Sequence, residues 1–262
     1  MIWTALDPPG SLLHYARLRS LVGRGTEQRI LEVACGSGQL AIRLALDGHE
    51  VTAIDANGAS LADAWRALDS VSRVHDCSIR FADVEWNLGT AEQFCDFDLV
   101  VAAMVVEHID DDHEFVRSLC SALRSPGGRL CIAVPARMDK WSIEDEAHGH
   151  FRRYSPESLR DLLKSCGLKH ITIHGSGFPV TNLTFSFGNR IVSRSETERL
   201  EWSPDDRTLQ SGNRKVRWKT EFPSLFRFLL NDRVFGLLEL GIRPIQVQSR
   251  CLELIALGSL GD

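Results

Sequence analysis

Three carboxylates and a glycine-rich turn stand at matching points of three successive apolar runs. Glu32 lies inside Arg29-Ile30-Leu31-Glu32-Val33-Ala34, four residues before Gly36 of the turn Cys35-Gly36-Ser37-Gly38. Asp55 directly follows the run from Glu50 to Ile54, and Asp83 stands in Phe81-Ala82-Asp83-Val84. Taken alone, Gly36-x-Gly38-x-x-Ala41 fits the dinucleotide fingerprint, so the glycines do not choose between NAD and another adenosine ligand. The carboxylates narrow the choice. Glu32 is suited to attract an amino-acid ammonium group rather than a pyrophosphate. Asp55 can take both hydroxyls of a ribose, a feature that NAD enzymes share. Asp83 can accept a hydrogen bond from an adenine amino group, and a third acidic position of that kind is not part of the dinucleotide fingerprint.

Histidines form the second chemical group. His108 follows the fourth apolar run in Val106-Glu107-His108-Ile109, and His148 and His150 lie in Glu144-Asp145-Glu146-Ala147-His148-Gly149-His150-Phe151-Arg152-Arg153-Tyr154. An imidazole titrates near neutral pH, so each of the three can serve as a general base. For His108 the alternative is bracing of its loop. The carboxylates beside His148 and His150 also have the makings of a metal site, but a charged loop explains them more simply, and no metal is expected. Arg152, Arg153 and Tyr154 either hold an anionic group on a substrate or pin the loop to the sheet edge. Tyr15, in His14-Tyr15-Ala16-Arg17, falls on a helix leading into the first run.

These residues need elements to position them. Strands are expected at 29–34, 50–54, 78–81, 97–102, 129–134 and 169–174. Helices are expected over 39–46 and 59–71, from the Asp110-Asp111-Asp112 cap to Leu123, and from Ser155-Pro156 to Cys166. Regular strand–helix alternation implies a parallel sheet wrapped by helices. After Gly177 the pattern changes, and one last strand is expected within Ser249–Leu257. The intervening 178–245 reads as an insertion. It holds eleven Lys/Arg against eight Asp/Glu, a net +3 inside a chain of net charge -5. Within it, Gly212-Asn213-Arg214-Lys215-Val216-Arg217-Trp218-Lys219 is basic, and the stretch 224–241 carries ten large apolar residues among eighteen. That stretch is read as a lid helix, a peripheral membrane contact, or a helix packed on the core or on a second subunit.

The chain has 262 residues, 44% hydrophobic and 25% charged, which suffices for a core without staples. A net charge of -5 argues against general nucleic-acid affinity. Seven cysteines without a Cys-x-x-Cys pair are expected to be reduced and buried, in a cytoplasmic protein. No signal peptide is evident at Met1-Ile2-Trp3-Thr4, and the longest apolar run, Leu99 to Val106, is too short to span a bilayer. A monomer or homodimer is expected.

Ile30-Leu31-Glu32-Val33-Ala34-Cys35-Gly36-Ser37-Gly38 resembles the first motif of the class I S-adenosylmethionine-dependent methyltransferases. Val51-Thr52-Ala53-Ile54-Asp55 resembles their second motif and Phe81-Ala82-Asp83-Val84 their third. Phe97–Val101 with Val106–Ile109, and Leu123-Arg124-Ser125-Pro126-Gly127-Gly128-Arg129-Leu130, resemble the motifs at strands four and five. The matches stand in family order over residues 29 to 175. Ala34 replaces a common glycine, and its backbone is expected to keep ordinary angles.

The resemblance implies a Rossmann-like α/β three-layer sandwich. Its sheet would have seven mostly parallel strands, the last antiparallel and lying between strands five and six, with a mainly helical cap inserted between strands six and seven. It assigns 1–28 to a helical segment closing the cofactor site, 29–177 with 246–262 to the cofactor domain, and 178–245 to the cap. It implies S-adenosyl-L-methionine as cofactor, held by Tyr15, Glu32, Ala34, Gly36, Gly38, Asp55, Ala56, Asp83, Val84, Ala103 and Met104. Glu107-His108 would border the cofactor methionine and the acceptor. The expected reaction is methyl transfer, first of all to oxygen, on a small or medium acceptor: a natural product, a sugar or glycolipid, or a peptide carboxylate. Carbon and nitrogen acceptors stay open. The rivals are an NAD-dependent oxidoreductase and a binding protein without turnover.

Overall fold

Apolar residues alternate along the strands so that neighbours bury on opposite faces, and this divides the core in two. In the computed structural model, which describes residues 3–24, 27–72, 78–195, 202, 218 and 221–261, Ile30, Val51, Leu99 and Val101 pack on one side of a sheet. Leu31, Val33, Val100 and Leu130 pack on the other. The strands are β1 (Trp3–Ala5), β2 (Arg29–Val33), β3 (Glu50–Asp55), β4 (Ile79–Asp83), β5 (Leu99–Ala103), β6 (Arg129–Pro135), β7 (Leu168–Ser176), β8 (Glu221–Pro223) and β9 (Glu253–Leu260). The helices are α1 (Pro9–Val22), α2 (Gln39–Leu46), α3 (Gly58–Ser72), α4 (Leu88–Ala91), α5 (Asp112–Ser121), α6 (Ile143–His148), α7 (Pro156–Ser165), α8 (Val180–Ser195) and α9 (Asp232–Ile242). α1, α2 and α3 cover the first face, and α5 and α7 the second.

The main sheet has seven strands in the order β4-β3-β2-β5-β6-β9-β7. β9 alone runs antiparallel to its neighbours, between β6 and β7. From β2 the chain winds outward to β4, then returns to β5 on the other side of β2. The crevice at the carboxyl ends of β2 and β5 is the switch point where open α/β sheets take their ligands. The described part thus has the Rossmann-like architecture and strand order implied above.

Some local expectations change. β9 begins at Glu253 because residues 247–251 form a turn, in which the amides of Arg250 and Cys251 donate to the Val247 carbonyl. The segment 144–154 is not all loop, since its first half is α6, and β8 pairs antiparallel with β1 inside the insertion. Of the basic stretch 212–219, all but Trp218 lies outside the described residues. The six described cysteines are free, and Cys95 is exposed rather than buried. No helix among the described residues is long and apolar enough to cross a membrane.

The apolar stretch from Ser224 onward divides into a 3-10 turn (Ser224–Phe228) and α9, whose N-terminus is capped by the Asn231 side chain. The inner side of α9 places Phe235 against Leu12 and Leu13 of α1. Arg17 meets Glu239 at 3.1 Å, with both side chains buried. Asp232 pairs with Arg43 at 2.9 Å and Arg19 at 3.2 Å. Removing one partner of a buried pair strands the other charge, at a cost of about 3–5 kcal/mol. Glu239→Ala is therefore expected to lower unfolding stability by about 3 kcal/mol in urea titration, and Arg17→Met with Glu239→Leu to recover most of it. Wild-type stability in Glu239→Ala would mean that the pair does not hold α9 to α1.

Candidate active site

β2 ends at Val33, and the chain then needs a sharp turn before α2. It makes that turn through Ala34 (φ 59), Gly36 (φ 53) and Gly38 (φ 70), all in the left-handed region. Ala34 therefore does not keep ordinary angles. Its small methyl makes the conformation tolerable at about 1–2 kcal/mol. Gly38 is required twice over, because a Cβ there would also meet the Phe81 ring at 2.7 Å.

One N–H of the turn is spent on a carboxylate. Gly36 donates to Asp55 Oδ2 at 2.7 Å, and Asn57 donates to Asp55 Oδ1 at 2.8 Å. Burial raises the Asp55 carboxyl, and these two bonds partly offset it. A pyrophosphate would find the Gly36 N–H taken and a carboxylate in front of it, which weighs against NAD. Glu32 is 3% exposed, and its Oε2 has no hydrogen-bond partner. Burial, with Asp55 nearby, pushes its carboxyl up to about 8. A buried carboxylate with one oxygen left unpartnered on a cavity wall is a site for a cation, and an amino-acid ammonium fits it.

The cavity measures about 1320 Å³, room for two small ligands together. Glu32, Ala34, Gly36, Asp55 and Ala56 line one end, with Val84, Ala103, Met104 and Tyr15. Tyr15 is stacked under the Arg43 guanidinium at 4.5 Å. Gly38 and Asp83 are not on this wall. Gly38 packs on Phe81, and Asp83 is exposed at the rim beside Gly58.

Glu107, His108, His148, His150 and Arg153 line the other end. α6 explains how the histidines converge. Ser142 and Asp145 form its capping box, and Gly149 ends it in a left-handed turn (φ 76) that brings His150 back beside Asp145. Asp145 is fully buried and accepts from Ser142 N (2.8 Å), Ser142 Oγ (3.1 Å), His150 Nδ1 (2.9 Å), Arg153 Nε (2.7 Å) and a second Arg153 nitrogen (2.9 Å). Burial opposes its charge, yet the His150 and Arg153 bonds outweigh that and hold its carboxyl at about 2. An ionised Asp145 requires the proton on His150 Nδ1, which leaves the Nε2 lone pair available. His148 Nδ1 donates to the Glu144 carbonyl at 2.6 Å in the same sense. The His150 ring stacks on His148 at 5.5 Å and meets His108 edge-on at 4.7 Å.

His108 is a poor base, because burial and the neighbouring His150 depress it to about 3. Glu107 is fully buried, and neither of its carboxylate oxygens has a hydrogen-bond partner. Burial pushes it up to about 7, against the pull of His150. Glu107, His108 and His150 offer ligand atoms within 4.8 Å of one another, a set able to hold a divalent cation.

Two of the three residues read as substrate contacts or loop pins lie off the cavity wall. Arg152 pairs with Asp112 at 2.8 Å, and the Tyr154 hydroxyl donates to Asp112 at 2.7 Å, away from the cavity wall, so both brace the loop. Arg153 does reach the wall, but its guanidinium is bound to Asp145 and the Ala136 carbonyl. Sequence reading assigned no separate role to Asp145 and showed no sign of the pair His14 Nδ1–Glu253 Oε1 (2.6 Å), which joins residues far apart in the chain on the cavity wall. The His150-x-x-Arg153 spacing was a signal for Asp145, since a carboxylate can accept from both side chains at once. Aromatic residues close the cavity's remaining side: Phe185 and Phe187 of α8, with Trp218 and Phe222.

Residues 10–173 match the model of a family described as a methyltransferase domain. The chain belongs to the class I S-adenosylmethionine-dependent methyltransferases. It is 37% identical over 191 residues to the ubiquinone biosynthesis O-methyltransferase of Bordetella avium, covering 67% of this chain and 77% of that protein. With the protein of the same description from Caulobacter sp. it shares 36% identity over 106 residues, 40% of either chain. The fold matches phosphoethanolamine N-methyltransferase 2 of Haemonchus contortus, solved with S-adenosylhomocysteine and phosphomonomethylethanolamine. That match has a TM-score of 0.59 at 19% identity and covers 98% of this chain and 54% of that one.

The raised Glu32 carboxyl makes cofactor binding depend on pH. An ammonium favours the carboxylate, so affinity for S-adenosylmethionine should fall as pH drops below about 8, by at most tenfold per unit. Glu32→Gln should bind at least about tenfold more weakly and lose this dependence. In the unliganded protein, Glu32 releases its proton near 4.5 when unfolded and near 8 when folded. Its contribution to stability is therefore full below pH 4.5 and is lost as pH rises through 8, so Glu32→Gln should gain on the wild type across that window. Calorimetry and thermal melts read both effects, and an unchanged pH profile of binding would remove Glu32 from the ammonium.

Proposed function

We propose that this protein methylates a hydroxyl oxygen on a small or medium-sized, largely apolar acceptor. The observation that carries the reading is the hydrogen-bonded Asp145–His150 pair at the acceptor end of the cavity whose other end holds Glu32 and Asp55. Relatives described as O-methyltransferases support the choice of oxygen. Aromatic walls from Phe185, Phe187, Trp218 and Phe222 favour an apolar body on the acceptor, and the histidines favour a proton-bearing head.

When bound, S-adenosylmethionine supplies a sulfonium methyl group open to in-line attack. Glu32 holds the ammonium, and Asp55 keeps a lone pair on each oxygen for the ribose hydroxyls while its other bonds fix the Gly36 turn. Met104, held at φ 57 after β5, lines the cavity beside Ala103 and Val105. His150 Nε2 takes the acceptor's hydroxyl proton, and Asp145 fixes the tautomer and stabilises the imidazolium that results. α8 and the neighbouring part of the 178–245 insertion act as the cap that excludes water.

A second reading is metal-assisted deprotonation, favoured by the two unpartnered oxygens of Glu107 beside His108 and His150. A divalent cation there would lower the acceptor's pKa directly. The two readings part in chelator, which abolishes turnover only in the second.

An acceptor screen with labelled methyl donor is the primary experiment. With an acceptor in hand, His150→Ala and Asp145→Asn should lower kcat by about 10²–10⁴ while leaving S-adenosylmethionine affinity within about twofold. Calorimetry should show binding of S-adenosylmethionine and S-adenosylhomocysteine and none of NAD. Full turnover in His150→Ala removes the base, and failure to bind either sulfur compound removes the whole reading.

A further inference from the structure

We propose that the outer face of α9, with the turn before it, rests on an anionic lipid surface beside the mouth of the cavity. The observation is an amphipathic pattern of the wrong kind for a water-facing helix. α9 turns Phe235, Leu238 and Ile242 inward to α1, yet Val234, Leu237 and Leu240, one helical turn apart, face outward. Leu237 is 74% exposed and Leu240 58%. A helix on a globular surface carries polar residues on that face. The turn ahead of it adds Leu225, Phe228 and Leu229, also exposed.

Charge selects the occupant. Residues 224–250, all described, contain two carboxylates, and both are held in ion pairs. Asp232 is bound by Arg19 and Arg43, and Glu239 by Arg17 and Arg243. Arg227, Arg233 and Arg250 are exposed on the same stretch. An apolar face flanked by these cations, with no unpaired carboxylate among residues 224–250, matches acyl chains bordered by anionic headgroups. A second copy meeting this face about a two-fold axis would set arginine against arginine with no unpaired carboxylate of that stretch to answer it. The short, arginine-bearing helix lies along the surface and does not span.

The surface also leads into the site. Phe226 of the exposed turn meets Trp218 at 5.9 Å between ring centroids and Phe222 at 6.4 Å, and both of these line the cavity. Phe187 of α8 is at once exposed and part of the cavity wall. An apolar path thus runs from the lipid-facing turn to the acceptor end. The docking itself stands whether or not the acceptor is a hydroxyl compound.

The test is flotation of the purified full chain with vesicles of phosphatidylcholine, alone or mixed with phosphatidylglycerol. The protein should float with the mixed vesicles, and far less with phosphatidylcholine alone or in high salt. Leu237→Glu with Leu240→Glu should reduce flotation at least about tenfold while S-adenosylmethionine binding, which reports the fold, stays at the wild-type value. Arg227→Glu with Arg233→Glu should bring binding to mixed vesicles down to the level seen with phosphatidylcholine alone. The proposal is overturned if the wild type stays in solution with mixed vesicles, or if the Leu237→Glu/Leu240→Glu protein floats as well as the wild type. A wild-type dimer that this double variant converts to monomer assigns the face to a second copy and overturns it equally.

Discussion

Three acidic side chains crowd the carboxyl ends of β2, β3 and β5, where the strands that carry them keep water away. Glu32, Asp55 and Glu107 are all raised first of all by burial. A carboxylate without solvent is stabilised by a cation and penalised by a nearby anion, so this end of the sheet discriminates by charge before any shape is compared. The ammonium and sulfonium of the cofactor bring positive charge to a place short of it, whereas a diphosphate would add to the excess. The glycine turn follows the same constraint, since its Gly36 N–H serves Asp55 rather than a ligand phosphate.

Asp145 is the contrasting case. It is buried as deeply, but donors from Ser142, His150 and Arg153 converge on it, and it stays ionised. The Glu32 carboxyl therefore gains most when a ligand arrives, while the Asp145–His150 pair is already set. Preorganised dipoles and a fixed tautomer cost no rearrangement at the moment of reaction. α9 belongs to the same economy of charge, because its two carboxylates are consumed by arginines of α1 and α2 and leave its outer face to apolar groups and cations.

Sequence alone showed much of the fold because the features that build it are local. The strands carry their own periodicity, and the turn at 34–38 and the caps at Asp111 and Ser155 are written in adjacent residues. The parts that were not legible depend on distance in the chain. β1 and β8 are three residues each and have no period to read, and their pairing joins the first residues to the 221–223 segment. His14 finds Glu253, and Arg43 finds Asp232, only once the sheet has brought them together. Asp145 sat in plain view within an acidic run, but its five donors come from both sides of a helix that composition did not reveal. Ala34 was misjudged because a residue type does not show its own φ.

β9 has a consequence for how the molecule is made. Of this sheet's strands it is the last to be synthesised, yet its place is between β6 and β7 rather than at an edge. Until it arrives, β6 and β7 each expose an open ladder of amides and carbonyls, a template for pairing with another chain. Its first residue, Glu253, also completes a wall of the cavity. The same short segment thus covers both open ladders and completes one wall of the cavity.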